Sequence, residues 1–80
     1  MNRVEMFTLR TAREIAGLNQ AEAASMLEVS PDTLRNYESG KTQPDVLMIK
    51  KIEALYNIPF DRLIFLNEDN GKTVKGKEEP

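Results

Sequence analysis

Residues 20–41, which read QAEAASMLEVSPDTLRNYESGK, contain the pattern that decides the fold of this chain. In the first half, Ala21, Ala24 and Leu27 recur at helical spacing and predict the inner face of a helix over residues 20–27. Because two of these side chains are alanines, a second helix can approach the first one closely. The stretch therefore begins with a short helix suited to tight helix–helix packing.

The second half of the stretch predicts another helix, over residues 31–39. Ser30 can cap this helix, and Pro31 suits its first position, where the missing N–H of proline would have no partner. Leu34 and Tyr37 repeat the helical spacing and are expected to face inward. Two short helices joined by a tight turn are typical of a helix-turn-helix motif.

Hydrophobic periodicity predicts three further helices around this motif, over residues 8–17, 46–56 and 60–66. Small polar residues precede the helices, and Glu22 can complete a capping box with Asn19. The expected caps are Thr8, Asn19, Ser30 and Asp45. We expect the inner face of the first helix to comprise Leu9, Ala12, Ile15 and Ala16, and that of the fourth helix to comprise Val46, Ile49, Ile52, Leu55 and Tyr56.

The composition limits the kinds of protein that this chain can be. Its 80 residues suffice for one domain, and we expect an N-terminal arm at residues 1–6, a domain at residues 7–66 and a flexible polar tail at residues 67–80. Cysteine and histidine are absent, which excludes disulfides, Ser-His or Cys-His catalysis and ordinary zinc ligation. No apolar run approaches the ~20 residues that span a bilayer. We therefore expect a cytoplasmic protein that uses no cofactor and no metal.

Residues of the central stretch and its flanks form one pattern in register, which comprises Gln20, Ala24, Ser30, Leu34, Tyr37, the Glu38-x-Gly40-Lys41 run and Pro44. This pattern resembles the phage-repressor-like helix-turn-helix family, also called the xenobiotic-response-element family, over residues 7–66. The resemblance implies an all-α, five-helix, lambda-repressor-like DNA-binding domain. Glu28 departs from the pattern, because the family usually has glycine at that turn position. If the turn requires a positive φ, the departure costs roughly 1 kcal/mol.

Four residues are expected to contact DNA phosphates. The resemblance implies that Gln20 hydrogen-bonds a phosphate from the N-terminus of its helix, where the helix dipole also favours an anion. Lys41 and Thr42 follow the helix over residues 31–39 and are expected to hold the DNA backbone. Lys41 can also stabilise the C-terminus of that helix. Arg10 is the fourth expected phosphate contact. Gln20 on its own could equally be a solvated residue at the start of a helix.

The outer face of the helix over residues 31–39 carries the expected base contacts. Arg35 and Asn36 can pair bidentately with guanine and adenine, respectively. Asp32 can accept a hydrogen bond from the amino group of cytosine, or it can stabilise the helix N-terminus through the dipole. Thr33 lies three residues before Asn36 and completes the set. Such a helix fits a major groove about 12 Å wide, although any solvated helix also has a polar outer face.

One ion pair is expected to link the first and third helices. From the spacing of the first helix, Arg10 and Arg13 should both point away from its inner face. The resemblance implies that Arg13 pairs with Glu38, at the end of the third helix. This role is structural, and an exposed pair of this kind contributes only ~0–1 kcal/mol.

The predicted fifth helix contains four consecutive apolar residues, Leu63 to Leu66. Four such residues cannot all face inward from one helix, so at least one should be exposed unless a partner covers it. Ile64, Phe65 and Leu66 are therefore the expected interface of a homodimer. The alternative is a wider local core with the N-terminal arm folded over it.

Two classes of function remain open. One is a sequence-specific DNA-binding transcription regulator, expected to be a repressor, which binds double-stranded DNA as a homodimer with residues 31–39 in the major groove. The other is a protein-interaction module of the same fold, such as an antitoxin or a regulator-binding protein. Arg10, Gln20 and Lys41 favour the first class, whereas Asp32 and the net charge of −2 favour the second. We expect no enzyme activity, because no group of residues indicates a catalytic pocket.

Overall fold

The computed structural model describes residues 5–67 and 72–74. Its elements, in chain order, are β1 (Phe7–Thr8), α1 (Leu9–Ile15), α2 (Gln20–Leu27), α3 (Pro31–Ser39), α4 (Val46–Tyr56), a 3-10 turn (Phe60–Arg62), β2 (Leu63–Asn67) and β3 (Lys72–Val74). No helix in this part of the chain is long and apolar enough to cross a membrane. Residues 1–4 of the predicted arm, and residues 68–71 and 75–80 of the predicted tail, lie outside the described residues.

The helix ends follow the predicted capping chemistry. Each α-helix begins after a residue whose side-chain oxygen accepts a hydrogen bond from the backbone N–H three residues later, and these caps are Thr8, Asn19, Ser30 and Asp45. Asn19 and Glu22 form the complete capping box. Gly40 ends α3 in the left-handed conformation at φ +87°, which glycine adopts readily because it has no Cβ. The predicted caps are therefore confirmed.

The turn between α2 and α3 contains a strained residue. Glu28 follows α2 in the left-handed conformation, with φ 63° and ψ 40°. An L-residue other than glycine costs roughly 1 kcal/mol in this conformation. The backbone N–H of Val29 donates to the carbonyl of Ala24 at 2.9 Å and closes the turn. Glu28 thus takes the positive φ that was expected at this turn position.

The core lies where α2 packs against α3 and α4. Leu27, Leu34 and Ile52 are the largest fully buried side chains. The predicted inner face of α2 is wrong at one position, because Ala21 is exposed and Ala23 is buried. The cluster of buried apolar residues around Leu27, Leu34 and Ile52 also includes Leu9, Ala12, Ala24, Tyr56, Ile58 and Leu63.

Two more inner faces differ from the prediction in the same way. On α1, Ile15 is 59% exposed and Arg13, expected to point away from the core, is buried. Ala16, also expected on the inner face, is exposed and lies just after the helix as its C-cap. On α4, Val46 is 68% exposed. Ala21, Ile15 and Val46 each lie six residues from a buried residue of the same helix. Because each residue of an α-helix turns about 100°, two steps of three residues rotate a side chain about 120° away from the buried face.

The predicted fifth helix is wrong. Residues 60–62 form a 3-10 turn, and Leu63–Asn67 form β2, the central strand of a three-stranded sheet. β2 pairs in parallel with β1, with Phe7 opposite Leu63, and antiparallel with β3, with Phe65 opposite Val74. The physical reason is that an extended chain here gains ladder hydrogen bonds on both sides. Because alternate residues of a strand face the same side, Leu63 is buried and Phe65 also packs on the core.

The sheet corrects two further expectations. Asn67 and Lys72–Val74 have regular strand backbone, although residues 67–80 were expected to form an unstructured tail. The argument for a dimer from four consecutive apolar residues also loses its premise, since these residues lie on a strand. Ile64, Phe65 and Leu66 are each half-buried within the described chain.

Candidate nucleic-acid interface

A cleft opens where α1, the N-terminus of α2 and the C-terminal half of α3 meet. It has a volume of about 430 Å³. The side chains that line it come from all three helices and are Arg10, Arg13, Gln20, Arg35, Glu38 and Ser39. Three of the residues expected to contact DNA, namely Arg10, Gln20 and Arg35, are thereby brought together, although they are distant in the sequence.

A buried ion pair joins α1 to α3 in this cleft. Arg13 Nε donates to Glu38 Oε2 at 2.7 Å, and Arg13 Nη2 donates to Glu38 Oε1 at 3.2 Å. Arg13 Nη1 donates to the carbonyl of Leu18 at 3.1 Å. The hydrogen bond to Glu38 raises the pKa of Arg13 above its ordinary value, against the opposing effect of burial. A two-point contact of this kind fixes the mutual orientation of the two helices.

The side chain of Gln20 is bound to the same carboxylate. Gln20 is the first residue of α2, directly after the cap Asn19, and its Nε2 donates to Glu38 Oε1 at 3.0 Å. Glu38 therefore accepts from Arg13 on α1 and from Gln20 on α2 at once. Through this one carboxylate, the end of α3 is tied to both preceding helices.

Tyr56 of α4 lies in the electrostatic field of this group. Burial, and to a smaller extent the charge of Glu38, raise the pKa of Tyr56 to about 12, while Arg13 acts in the opposite direction. The hydroxyl of Tyr56 is buried and has no hydrogen-bond partner among the described residues. The raised pKa keeps the buried Tyr56 hydroxyl neutral at ordinary pH.

The two other arginines of the cleft are exposed and each is held by a carboxylate on its own helix. Arg10 Nε lies 3.1 Å from Glu14 Oε2. Arg35 binds Asp32, three residues earlier on α3. Exposed pairs of this type are weak, so either arginine can exchange its carboxylate for a phosphate or a base at little cost.

The remaining residues of α3 that were expected to read bases are half-buried. Thr33 Oγ1 accepts a hydrogen bond from Ser30 Oγ at 2.9 Å. The backbone carbonyl of Asn36 accepts from the N–H groups of Gly40 and Lys41 at 3.1 and 3.0 Å. This closure turns the chain sharply after α3 and leaves Lys41 exposed, together with the following Thr42. Neither Thr33 nor Asn36 lines the cleft.

Sequence reasoning missed two features of the cleft. Ser39 lines it, and its position four residues after Arg35 was a usable signal, because residues four apart share a helix face. The contact between Gln20 and Glu38 had no such signal, because it joins two helices. Sequence reasoning also missed that Gln43 Nε2 donates to the carbonyl of Leu66 at 2.8 Å, which ties the loop after α3 to β2.

Comparison with known proteins agrees with this architecture. A family model described as helix-turn-helix matches residues 9–63, which include all four α-helices. The HTH-type transcriptional regulator ImmR of Bacillus subtilis (strain 168) is 38% identical over 64 residues, which cover 80% of this chain and 50% of that relative. This chain therefore spans about half the length of the curated relative that it matches. The capped helix pair, the left-handed turn and the family match together establish that the chain belongs to the phage-repressor-like helix-turn-helix family.

Proposed function

We propose that this domain is the DNA-binding part of a transcription regulator, a repressor, that inserts α3 into a major groove. The family is one of DNA-binding regulators and not of enzymes. The observation that carries the proposal is the cleft beside α3, where Arg10, Gln20 and Arg35 converge from three helices. The comparisons support the same class of function.

The four proposed phosphate contacts lie around the C-terminal half of α3. Arg10 and Gln20 line the cleft, and Lys41 and Thr42 are exposed just after Gly40. When a helix lies in the groove, the phosphates of the flanking strands come close to it, and cationic and amide groups beside its C-terminal half can hold them. These four residues would set the register of α3 on the duplex.

The base contacts come from α3 itself. Arg35 and Asp32 are exposed, and Thr33 and Asn36 are partly exposed. Arg35 can pair bidentately with guanine and Asn36 with adenine, and each good pair discriminates by ~1–3 kcal/mol. The Asp32 carboxylate, now seen bound to Arg35, can orient that guanidinium or accept from cytosine. Specificity would thus come from a few residues on one face.

The mild negative charge of the chain shapes the proposed binding. With 11 Lys and Arg against 13 Asp and Glu, non-specific attraction to DNA is weak. A second copy bound to an adjacent half-site would compensate, and we propose a homodimer on a two-fold operator in the cytoplasm. Ile64, Phe65 and Leu66 of β2 remain the proposed interface, since all three keep partly exposed surface.

The second candidate function is binding of a protein partner. An apolar groove of about 300 Å³ lies between α4 and the 3-10 turn, lined by Val46, Ile49, Lys50, Glu53 and Phe60. Val46 and Phe60 are 68% and 50% exposed. A protein-interaction module of this fold would use such a surface and would not prefer any DNA sequence.

Competition binding against a selected DNA site and bulk DNA separates the two functions. Asn36→Ala should weaken binding to the selected site far more than to bulk DNA, because only the base contact of about 1–3 kcal/mol is lost. Lys41→Ala should weaken both about equally and reduce the salt dependence by about one charge. Arg62→Ala is the matched control, since it removes an exposed charge from the 3-10 turn, away from the cleft. If no DNA is preferred and all three variants behave alike, the DNA-binding proposal is wrong.

A further inference from the structure

We propose that Glu38 is a positioning residue that orients the Gln20 amide to donate to a DNA phosphate. The inference rests on the proposed DNA-binding function and assigns a role to Glu38 beyond its ion pair with Arg13. It follows from the single carboxylate that binds Arg13 and Gln20 together. The argument concerns which end of the Gln20 amide faces the cleft.

A carboxylate paired with arginine has only acceptors to offer. Glu38 accepts two hydrogen bonds from Arg13, of 2.7 and 3.2 Å. Only the nitrogen of the Gln20 amide can therefore donate to Glu38, and Gln20 Nε2 does lie 3.0 Å from Glu38 Oε1. Without an acceptor-only neighbour, the amide could rotate by half a turn and exchange its nitrogen and oxygen.

The second N–H of Gln20 is then available to an anion. An amide nitrogen carries two N–H groups, and one of them is taken by Glu38. Gln20 lines the cleft beside Arg10 and Arg35, so the other N–H belongs to a site with two nearby cations. In the reversed orientation, the amide oxygen would face the phosphate and repel it.

The ion pair also removes an electrostatic objection. A lone carboxylate in the cleft would repel a phosphate, but Arg13 neutralises Glu38 at a distance of 2.7 Å. Both side chains are less than a tenth exposed, so water screens this compensation little. Arg13 thus allows an anionic side chain to support an anion-binding amide.

A double-mutant comparison tests the role. The background Arg13→Met/Glu38→Leu keeps the net charge and replaces the buried pair by apolar side chains, a change that other proteins often tolerate. In the wild type, Gln20→Ala should weaken DNA binding about tenfold, as expected for one hydrogen bond to a charged group. In the double-variant background, the same substitution should change the affinity less than about twofold, because the amide is no longer oriented.

Arg10→Ala is the matched control in both backgrounds. Arg10 lines the same cleft but binds Glu14 and not Glu38, so its substitution should weaken DNA binding equally in each. If Gln20→Ala costs the same in both backgrounds, Glu38 has only a structural role and the inference is overturned. If the wild type shows no salt-dependent DNA binding, the proposed function fails and the inference fails with it.

Side-chain amide NMR of the wild type gives an answer even if the double variant does not fold. The two Gln20 amide protons are assigned by their loss in Gln20→Ala. The proton that faces Glu38 should exchange more slowly than the other, because it is hydrogen-bonded. On addition of duplex DNA, it should keep its chemical shift and this protection, and the other proton should shift. If both protons shift and the first loses its protection, Gln20 leaves Glu38 on binding and the inference is wrong.

Discussion

Arg10 and Arg13 lie nearly one turn apart on α1, and each binds a glutamate, yet their surroundings are opposite. Arg10 and Glu14 lie 3.1 Å apart, with side chains 70% and 52% exposed. Arg13 and Glu38 lie 2.7 Å apart, with side chains 9% and 6% exposed. The first pair joins residues of one helix, whereas the second joins two helices across the core. The same kind of ion pair therefore leaves Arg10 accessible to a ligand, whereas it makes Arg13 part of the buried interior.

The difference follows from solvation. An exposed pair competes with water and contributes ~0–1 kcal/mol, whereas removal of one partner from a buried pair leaves an unpaired charge in the interior and costs about 3–5 kcal/mol. Replacement of the carboxylate by another anion is consequently easy at Arg10 and difficult at Arg13. Four predictions sharpen this contrast.

The largest effect is expected when the buried pair is broken. Arg13→Ala should lower the free energy of unfolding by about 3–5 kcal/mol, because Glu38 would remain buried without its partner. Urea denaturation followed by circular dichroism measures this loss. A loss below about 1 kcal/mol would mean that the pair is solvated after all and that the contrast with Arg10 is false.

Alkaline pH should destabilise the fold by ionising Tyr56, whose pKa is influenced by burial, by Glu38 and by Arg13. Its pKa is about 12 in the folded chain and 10.0 as the reference value, so the stabilisation is complete below pH 10 and is lost as the pH rises towards 12. Ionisation of Tyr56 should lower the free energy of unfolding by about 2 kcal/mol over this window, because only half of the folded chains are ionised at this residue at pH 12.

Tyr56→Phe supplies the reference for the alkaline prediction. This variant cannot ionise at residue 56, so its free energy of unfolding should fall by about 2 kcal/mol less than that of the wild type between pH 10 and 12. Thermal melts across the window, with tyrosinate absorbance as a second readout, measure the difference. Parallel pH profiles for the two proteins would show that Tyr56 titrates normally.

The exposed pair of Lys51 and Glu28 allows the stability that such a contact contributes to be compared with the cost of backbone strain. Lys51 Nζ lies 3.3 Å from Glu28 Oε1, and Glu28 has a φ of 63°. Glu28→Gly removes the strain and the pair together, and the free energy of unfolding should rise by about 0.5 kcal/mol. Lys51→Ala removes the pair alone and should lower it by less than that amount. Equal or lower stability of Glu28→Gly would show that the pair outweighs the strain.

The smallest effect on stability is expected at Arg10. Arg10→Ala should change the free energy of unfolding by less than about 0.5 kcal/mol, because both partners are largely solvated. The same denaturation series as for Arg13→Ala measures it. A loss comparable to that of Arg13→Ala would remove the distinction between the two arginines.

How much could be read from the sequence differs between local and non-local features. The four caps and the capping box follow from residues within three positions of each other, and all were predictable. The predictions of which residues form the inner faces of the helices were less accurate. Three apolar residues, Ile15, Ala21 and Val46, were assigned to inner faces although each lies two steps of three residues from a buried residue of its helix. All three are exposed. The error is geometric, because two such steps do not return to the same face.

The sequence by itself determined the helix-turn-helix, because its signals are local: a serine cap, a proline at the first helical position and a glycine, Gly40, at the left-handed exit. Only the tertiary structure decided what residues 63–67 become. An apolar run of four residues, Leu63 to Leu66, can form a helix or a strand, and the pairing with Phe7–Thr8, at the opposite end of the domain, selects the strand.

Tertiary structure also decided the chemistry of the cleft. Arg10 and Arg13 are the same residue type in the same helix, and the helical spacing alone predicted that both would point away from the inner face. Their roles diverge because Glu38, on another helix, reaches only Arg13, and the low dielectric around that contact strengthens it. The third partner, Gln20, joins them for the same reason. Burial is a property of the packed chain, and it turned one of two equivalent arginines into a structural residue.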